Sequence, residues 1–234
     1  MILPEVMFLA AHTTRSQAYA QAMCKAGIEP AMTLLYGEEK GIPHIKETET
    51  QIPGLFSPNF SEPLKETVKR FKEVQHVTNG DVNGQEVYDI VASQKPRLLI
   101  YSGYGGQIVK KRILSLGTLF LHIHSGWLPD YRGSTTVYYS ILKEQSCGAS
   151  AILLSPEIDK GVILKRKKYP VPSREVNIDY VYDNTIRADL LIEVLQMWKM
   201  KGSFVDFIVQ KPDEGEIYYV IHPLLKHLSI LSLN

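Results

Sequence analysis

Short apolar runs alternate with amphipathic stretches along most of the chain, and this alternation predicts strands separated by helices. The apolar runs predict strands over residues 6–11, 31–35, 74–77, 98–101, 119–124 and 149–154. The remaining stretches predict helices over residues 16–26, 61–72, 84–94, 135–144 and 177–201. This order is typical of an α/β fold with an open, mostly parallel sheet and helices on both faces.

The chain beyond Gly202 has a different pattern. Residues 204–209 and 217–221 are β-rich runs, and the sequence Lys211-Pro212-Asp213-Glu214-Gly215 between them is a hairpin signature. We therefore expect a main domain over residues 1–202 and a short C-terminal β-rich appendage over residues 203–234. Its apolar positions suit docking on the main domain or on a second subunit, so a homodimer is one expected assembly.

The composition is that of an ordinary globular protein, with 44% hydrophobic and 22% charged residues. The 26 basic residues nearly balance the 25 acidic ones, which argues against a surface that coats nucleic acid. The basic run Lys165-Arg166-Lys167-Lys168 is interpreted as the solvated end of a strand. Nucleic acid is therefore not an expected partner.

The sequence contains no signal for secretion or membrane insertion. The N-terminal apolar stretch has no basic segment before it, and no run reaches the roughly 18 apolar residues that a spanning helix needs. Cys24 and Cys147 lack the spacing of a metal or redox motif. We expect a cytoplasmic protein in a reducing compartment, with no membrane partner.

Residues suited to chemistry concentrate at the ends of three predicted strands, where the loops of an open α/β sheet gather ligands. The first group is a pair of histidines, His122 and His124, which point to the same face of their strand. The second is Asp159, on a turn that follows the next strand. The third is a glycine loop, 103–106, whose backbone can approach a flat ligand closely.

At these residues the chain resembles the folate-dependent formyltransferases, a family that includes glycinamide ribonucleotide formyltransferase, the catalytic domain of methionyl-tRNA formyltransferase and the sugar N-formyltransferases. The family signature is an Asn-x-His pair, then Leu-Pro-x-Tyr-Arg-Gly, then an Asp-x-Gly turn. Matching positions here are His124, Leu128-Pro129-Asp130-Tyr131-Arg132-Gly133 and Asp159-Lys160-Gly161. His122 stands where the family has asparagine.

The resemblance implies a Rossmann-like formyltransferase fold and transfer of a formyl group from 10-formyltetrahydrofolate to an amine, without a metal. His124 would polarise the formyl oxygen or stabilise the oxyanion, and Asp159 would orient His124 and help to move a proton. His122 would replace the amide of the asparagine as a hydrogen-bond donor, or it would alter the pocket wall.

The resemblance also implies binding residues. Those expected to hold the folate are Gly103, Tyr104, Gly105, Gly106, Ile108, Glu157, Ile158 and Gly161. Those expected to meet the acceptor are Arg15, Ser125, Trp127, Tyr131, Arg132 and Gly133. Several have structural alternatives: Arg15 lies in a segment that can cap a helix, and the Tyr-Arg-Gly sequence can simply shape a loop.

The expected acceptor is the primary amine of a small molecule, in particular an amino sugar on a nucleotide carrier. Two alternatives involve other activities. In the first, the protein would hydrolyse the formyl-folate or only bind it. In the second, it would be a metal-dependent hydrolase that uses His122, His124 and Asp159 as a two-histidine, one-carboxylate ligand set.

Overall fold

A computed structural model describes residues 1–39, 41, 52–211 and 213–234. The strands are β1 (Ile2–Ala11), β2 (Glu29–Tyr36), β3 (Val74–Val77), β4 (Leu98–Ser102), β5 (Leu119–His124), β6 (Tyr131–Gly133), β7 (Cys147–Leu153), β8 (Ile163–Tyr169) and β9 (Glu216–Tyr218). The helices are α1 (Thr14–Lys25), α2 (Leu64–Val68), α3 (Gln85–Gln94), α4 (Lys111–Leu114), α5 (Thr136–Glu144), α6 (Asp183–Lys201) and α7 (Pro223–Leu231). A π-helical turn, Ile178–Tyr182, precedes α6.

The strands form a seven-stranded sheet in the order β3-β2-β1-β4-β5-β7-β8, and β6 pairs with β9 in a separate two-stranded sheet. Strands β1 to β4 pair in parallel, as do β4 and β5, whereas β7 and β8 are antiparallel. The predicted α/β fold with an open, mostly parallel sheet is confirmed. The described residues divide into two compact units, unit 1 with residues 1–39, 41 and 58–122 and unit 2 with residues 52–57, 123–211 and 213–234.

In unit 1, the central strands are apolar on both faces. All five residues of β4 are buried, and so are the last six residues of β1. When a parallel sheet is covered on both faces, its strands are continuous apolar runs in the sequence. For this reason the hydrophobic pattern predicted both strands. Helix α1 begins at a capping threonine, Thr13, whose hydroxyl accepts from the backbone N–H of Ser16 at 3.1 Å.

In unit 2, α6 packs against β7 and β8. The basic run lies in the middle of β8 and not at its end, so that expectation was wrong in its position. Two of its four side chains bind acids of α6: Lys165 lies 2.6 Å from Glu193, and Lys167 lies 2.5 Å from Asp189. The backbone pairing with β7 places this segment in the sheet, and acids of α6 balance the charge of two of its lysines.

The predicted C-terminal hairpin is not formed. Ile208 makes an isolated bridge with Ile163, while β9 pairs in parallel with β6, so the two β-rich runs have different partners. The residues after β9 form a helix, α7, with Pro223 in its first turn and His222 as its cap. Proline is favoured at the first helical position, so Pro223 was the available signal for this helix. The domain boundary at residue 202 stays a prediction.

Within the described residues, no helix is long and apolar enough to cross a membrane. Cys24 and Cys147 are not joined in a disulfide.

We expect Leu191→Ala to lower the free energy of unfolding by about 2–5 kcal/mol, because Leu191 is fully buried on α6 and the change leaves a cavity. The control is Leu224→Ala on α7, where the side chain is 61% exposed and the change should stay within about 0.5 kcal/mol. Urea denaturation followed by circular dichroism measures both. Equal losses would contradict the assigned burial.

Candidate active site

Strand β5 carries both candidate histidines near its end, where its alternation directs them to one side. His124 is buried, with 3% of its surface exposed, and His122 is half-buried. In unit 1, the ring of His122 lies near the ring of Tyr101, with centroids 6.1 Å apart and a tilted arrangement.

In unit 2, both ring nitrogens of His124 face oxygen atoms. Nε2 lies 2.7 Å from the carbonyl oxygen of Tyr131, and Nδ1 lies 3.5 Å from Oδ2 of Asp159. A carbonyl oxygen only accepts hydrogen bonds, so Nε2 carries a proton and donates it. Nδ1 is then the nitrogen directed at the carboxylate, and a hydrogen bond across this gap needs one more proton, on the ring or on the carboxyl group. The geometry is suited to acid–base chemistry.

Asp159 lies on a turn with an unusual backbone. Its φ is 52°, in the left-handed region that residues other than glycine rarely adopt. The backbone N–H of Gly133 donates to Oδ2 at 2.8 Å, which directs the carboxylate. The turn then folds back on β7 so closely that a Cβ at Gly161 would overlap the carbonyl oxygen of Leu153. The resemblance implied folate contacts for Gly161; the structure adds a steric reason for glycine there.

The side chains of the Tyr-Arg-Gly sequence are occupied by protein contacts. The hydroxyl of Tyr131 donates to Glu144 at 2.6 Å, and the ring of Tyr131 stacks on Tyr218 at a centroid distance of 5.4 Å. Arg132 is 2% exposed, and its guanidinium donates to the side-chain oxygen of Gln210 and the carbonyl oxygen of Lys211, both at 3.4 Å. These contacts fit the loop-shaping alternative, and acceptor binding by the two side chains stays a prediction.

Burial, together with the carboxylate of Glu144, raises the pKa of Tyr131 above its ordinary value. The phenol therefore stays protonated at neutral pH. Tyr131 contributes its carbonyl oxygen to His124, and its side chain is not suited to act as a base.

Ser125 and Trp127 follow His124, and both have partners in unit 2. Ser125 is buried, and its hydroxyl oxygen lies 2.7 Å from a donating Nη2 of Arg187 on α6. The same guanidinium donates to the carbonyl oxygen of Ile123 at 2.5 Å. The guanidinium of Arg166 lies over the Trp127 ring, and its Cζ is 4.4 Å from the centroid of that ring. Arg187 thus anchors the end of β5, a role that the sequence analysis missed.

The glycine loop lies in unit 1. A Cβ at Gly103 would overlap the Tyr101 hydroxyl, whereas Gly105 and Gly106 have open space around the positions of a Cβ. Tyr104 places its hydroxyl 3.4 Å from the carbonyl oxygen of Tyr36, and Ile108 is exposed.

Arg15 contacts this loop through its guanidinium, which donates to the hydroxyl of Ser102 at 3.3 Å and to the carbonyl oxygen of Gly103. Arg15 therefore holds the glycine loop, and its predicted contact with the acceptor is not tested by these bonds.

The turn before Asp159 exposes its side chains in unit 2. Glu157 pairs with Lys160 at 2.7 Å, and the hydrogen bond from that lysine lowers the pKa of Glu157. Ile158 is exposed. An exposed apolar side chain beside a turn is available to a ligand, so the predicted folate contacts of this segment stay predictions.

Comparison with known proteins identifies relatives. Residues 6–190 match the family model described as Formyl transferase. A methionyl-tRNA formyltransferase from Finegoldia magna is 30% identical over 150 residues, which cover 62% of this chain and 47% of that protein. The chain spans about half the length of the curated relatives it matches first.

Two solved structures show the same fold at low sequence identity. A sugar N-formyltransferase from a Shewanella species matches with a TM-score of 0.61 and 15% identity, covering 97% of this chain and 87% of that chain. HypX from Aquifex aeolicus, in complex with tetrahydrofolic acid, matches with a TM-score of 0.55 and 16% identity, covering 94% of this chain and 30% of that chain.

We expect Gly161→Ala to destabilise the protein by about 1–3 kcal/mol, since the added methyl group forces the turn away from the Leu153 carbonyl. Gly105→Ala is the control, because its added methyl group meets nothing within 4 Å. Thermal denaturation of the two variants measures the difference. A Gly161→Ala protein as stable as the control would contradict the close approach of turn and strand.

Proposed function

The chain belongs to the formyl transferase family, and we propose that it transfers a formyl group from 10-formyltetrahydrofolate to the primary amine of a small molecule. The observation that carries the proposal is the buried His124 beside Asp159, at the positions that match the family signature. The tetrahydrofolic acid bound to the structurally similar HypX supports a reduced folate as the donor.

In the proposed reaction, the amine nitrogen attacks the formyl carbon and the carbonyl π electrons move to oxygen. A new C–N bond forms, the bond from the formyl carbon to N10 of the folate breaks, and one proton passes from the incoming nitrogen to the leaving one. The carboxylate of Asp159 accepts that proton, directly or through a water, and passes it to N10 as the bond from the formyl carbon to N10 breaks. His124 would stabilise the oxyanion by its positive charge when the ring also carries a proton on Nδ1, because both ring nitrogens face protein oxygen atoms.

We propose an amino sugar on a nucleotide carrier as the acceptor. The sugar N-formyltransferase supports this choice, because the match covers 87% of that chain. The near-balanced charge also favours a small molecule over nucleic acid. Methionyl-tRNA is the second candidate, favoured by the 30% sequence identity to a methionyl-tRNA formyltransferase.

An acceptor panel tests these proposals. The protein is incubated with 10-formyltetrahydrofolate and with nucleotide-linked amino sugars, glycinamide ribonucleotide or methionyl-tRNA, and products are followed by mass spectrometry. Formate released without any amine would identify a hydrolase. Metal analysis of protein purified without a polyhistidine tag tests the metal-dependent alternative, in which His122, His124 and Asp159 would be the ligands.

A cytoplasmic setting and a homodimer also belong to the proposal. The unpaired cysteines support the first. Exposed leucines on α7 support the second, because they offer apolar surface to another subunit: Leu224, Leu225, Leu228 and Leu231.

His124→Ala and Asp159→Asn should each lower kcat by about 100-fold or more, because both side chains act on charge that develops in the transition state. Folate affinity should change little. Asp206→Asn is the control, since that carboxylate is 88% exposed in the same unit. Steady-state kinetics with an accepted amine and folate titration provide the measurements; near-normal turnover in either site variant would contradict its role.

His122→Asn tests the residue that departs from the family signature. If His122 donates to the oxyanion, asparagine restores the group that the family uses, and formyl transfer should persist or increase. An imidazole can gain and lose a proton and an amide cannot, so the pH dependence of kcat/KM should differ between the two proteins. Equal rates and superimposable pH profiles would mean that position 122 has no special role.

A further inference from the structure

The segment after α6 binds both loops of the candidate site within unit 2. We call residues 208–211 and 213–221 the C-terminal segment. Ile208 exchanges two backbone hydrogen bonds with Ile163, at 2.9 and 2.8 Å, and β9 pairs with β6 along the Tyr-Arg-Gly sequence. Beyond β9, the backbone N–H of Ile221 donates to the hydroxyl oxygen of Thr135 at 2.9 Å.

Gln210 is the residue of this segment that reaches the Asp159 turn. Its side-chain Nε2 donates to the carbonyl oxygen of Asp159 at 2.8 Å and to that of Gly161 at 2.7 Å. Its Oε1 accepts from Nε of Arg132 at 3.4 Å. One amide group thus joins the turn to the Tyr-Arg-Gly loop and uses both its donor and its acceptor atoms.

These contacts matter because the turn is not held by a helix or a strand of its own. Asp159 has a left-handed φ of 52°, a conformation that is uncommon in residues with a side chain, and the contacts around the turn help to maintain it. The two carbonyl groups lie on either side of Lys160, and a common donor brings them to one side of the turn. The direction of the Asp159 carboxylate toward His124 depends on that backbone conformation together with the hydrogen bond from the N–H of Gly133.

We propose that Gln210 is a positioning residue that holds the Asp159 carboxylate against His124. Gln210 acts through the backbone of the turn. It lies outside residues 6–190, so the match to the family model does not include it. Its effect on turnover rests on the proposed function, whereas its effect on the His124–Asp159 geometry does not.

Two substitutions separate positioning from bulk packing. Gln210→Met keeps the length of the side chain and removes both the donor and the acceptor. Gln145→Met is the matched control, because Nε2 of Gln145 also donates to a backbone carbonyl, that of Ile141 at 2.9 Å, in the same unit. The same Nε2 donates to the hydroxyl of Ser232 at 3.1 Å, and neither Gln145 nor these two partners belong to the candidate site.

The first readout is the ¹⁵N NMR spectrum of the histidine rings in the full chain, with His124 assigned from its loss in His124→Ala. Gln210→Met should move the His124 resonances in the direction that Asp159→Asn moves them, and Gln145→Met should leave them in place. Unmoved His124 resonances in folded Gln210→Met would overturn the proposal. This readout needs no substrate, so it stands even if formyl transfer is not the activity.

Gln210→Glu provides a second variant if Gln210→Met does not fold. A protonated carboxyl group can donate to one of the two carbonyls, whereas an ionised one cannot donate. At each pH the His124 resonances are compared with those of the unsubstituted protein, and the difference should shrink as the pH falls. A difference that is independent of pH would contradict positioning by hydrogen-bond donation.

The second readout is kinetic and uses an accepted amine. Gln210→Met should lower kcat by about 10-fold or more, because small displacements of reacting groups are costly, while KM for the folate stays within about twofold. Loss of stability with unchanged kcat would assign Gln210 a structural role only. If Gln210→Met displaces the His124 resonances but the unsubstituted protein shows no turnover, positioning is supported and the proposed function is contradicted.

Discussion

The hydrogen bond from His124 to the carbonyl oxygen of Tyr131 constrains the rest of the candidate site. It fixes the proton on Nε2, orients the ring and leaves Nδ1 facing Asp159. It also explains a glycine: a Cβ at Gly126 would lie 2.6 Å from Nε2 and 2.7 Å from the Tyr131 oxygen, at the bond itself. Position 126, between His124 and Tyr131, must therefore be a glycine.

The next layer of contacts supports this bond from both sides. Gly133 follows Tyr131 by two residues and donates its N–H to Asp159, so the loop that binds one ring nitrogen also directs the carboxylate that faces the other. Gly133 has a φ of 95°, and a Cβ there would overlap the Tyr218 carbonyl oxygen. Histidine, carboxylate and loop are thus fixed together, and a change at one of them is expected to affect the others.

Much of this arrangement could be predicted from the sequence. Strand β5 was predicted with the bounds that the structure has, because its apolar run ends at His124 and its neighbours are strands of the same kind. The fold class followed from the same pattern. The proximity of His124 and Asp159 was implied by the family signature, because a hydrophobic pattern does not indicate which strand ends and turns meet.

The contacts that were missed involve partners far apart in sequence. Strand β8 is basic in its middle, and two of its lysines pair with acids of α6 that lie more than twenty residues away, such as Glu193. The β-rich C-terminal appendage is not confirmed: the first run contributes a single bridge at Ile208 and the second contributes β9, and their partners, Ile163 and β6, lie upstream, where no turn signal specifies them. Gln210 had no sequence signal, because a single polar side chain in an extended run is also typical of a solvated strand.

The C-terminal segment therefore changes how the chain is divided into functional parts. Residues 6–190 match the family model, but the carbonyl oxygen of the left-handed Asp159 receives a hydrogen bond from Gln210, and the hydroxyl of the left-handed Thr135, with φ 52°, receives one from Ile221. Left-handed conformations at residues other than glycine persist where surrounding contacts impose them. Both of these are supported by hydrogen bonds from residues beyond α6. The proposed chemistry belongs to the signature residues, and the last part of the chain contacts the loops that carry them.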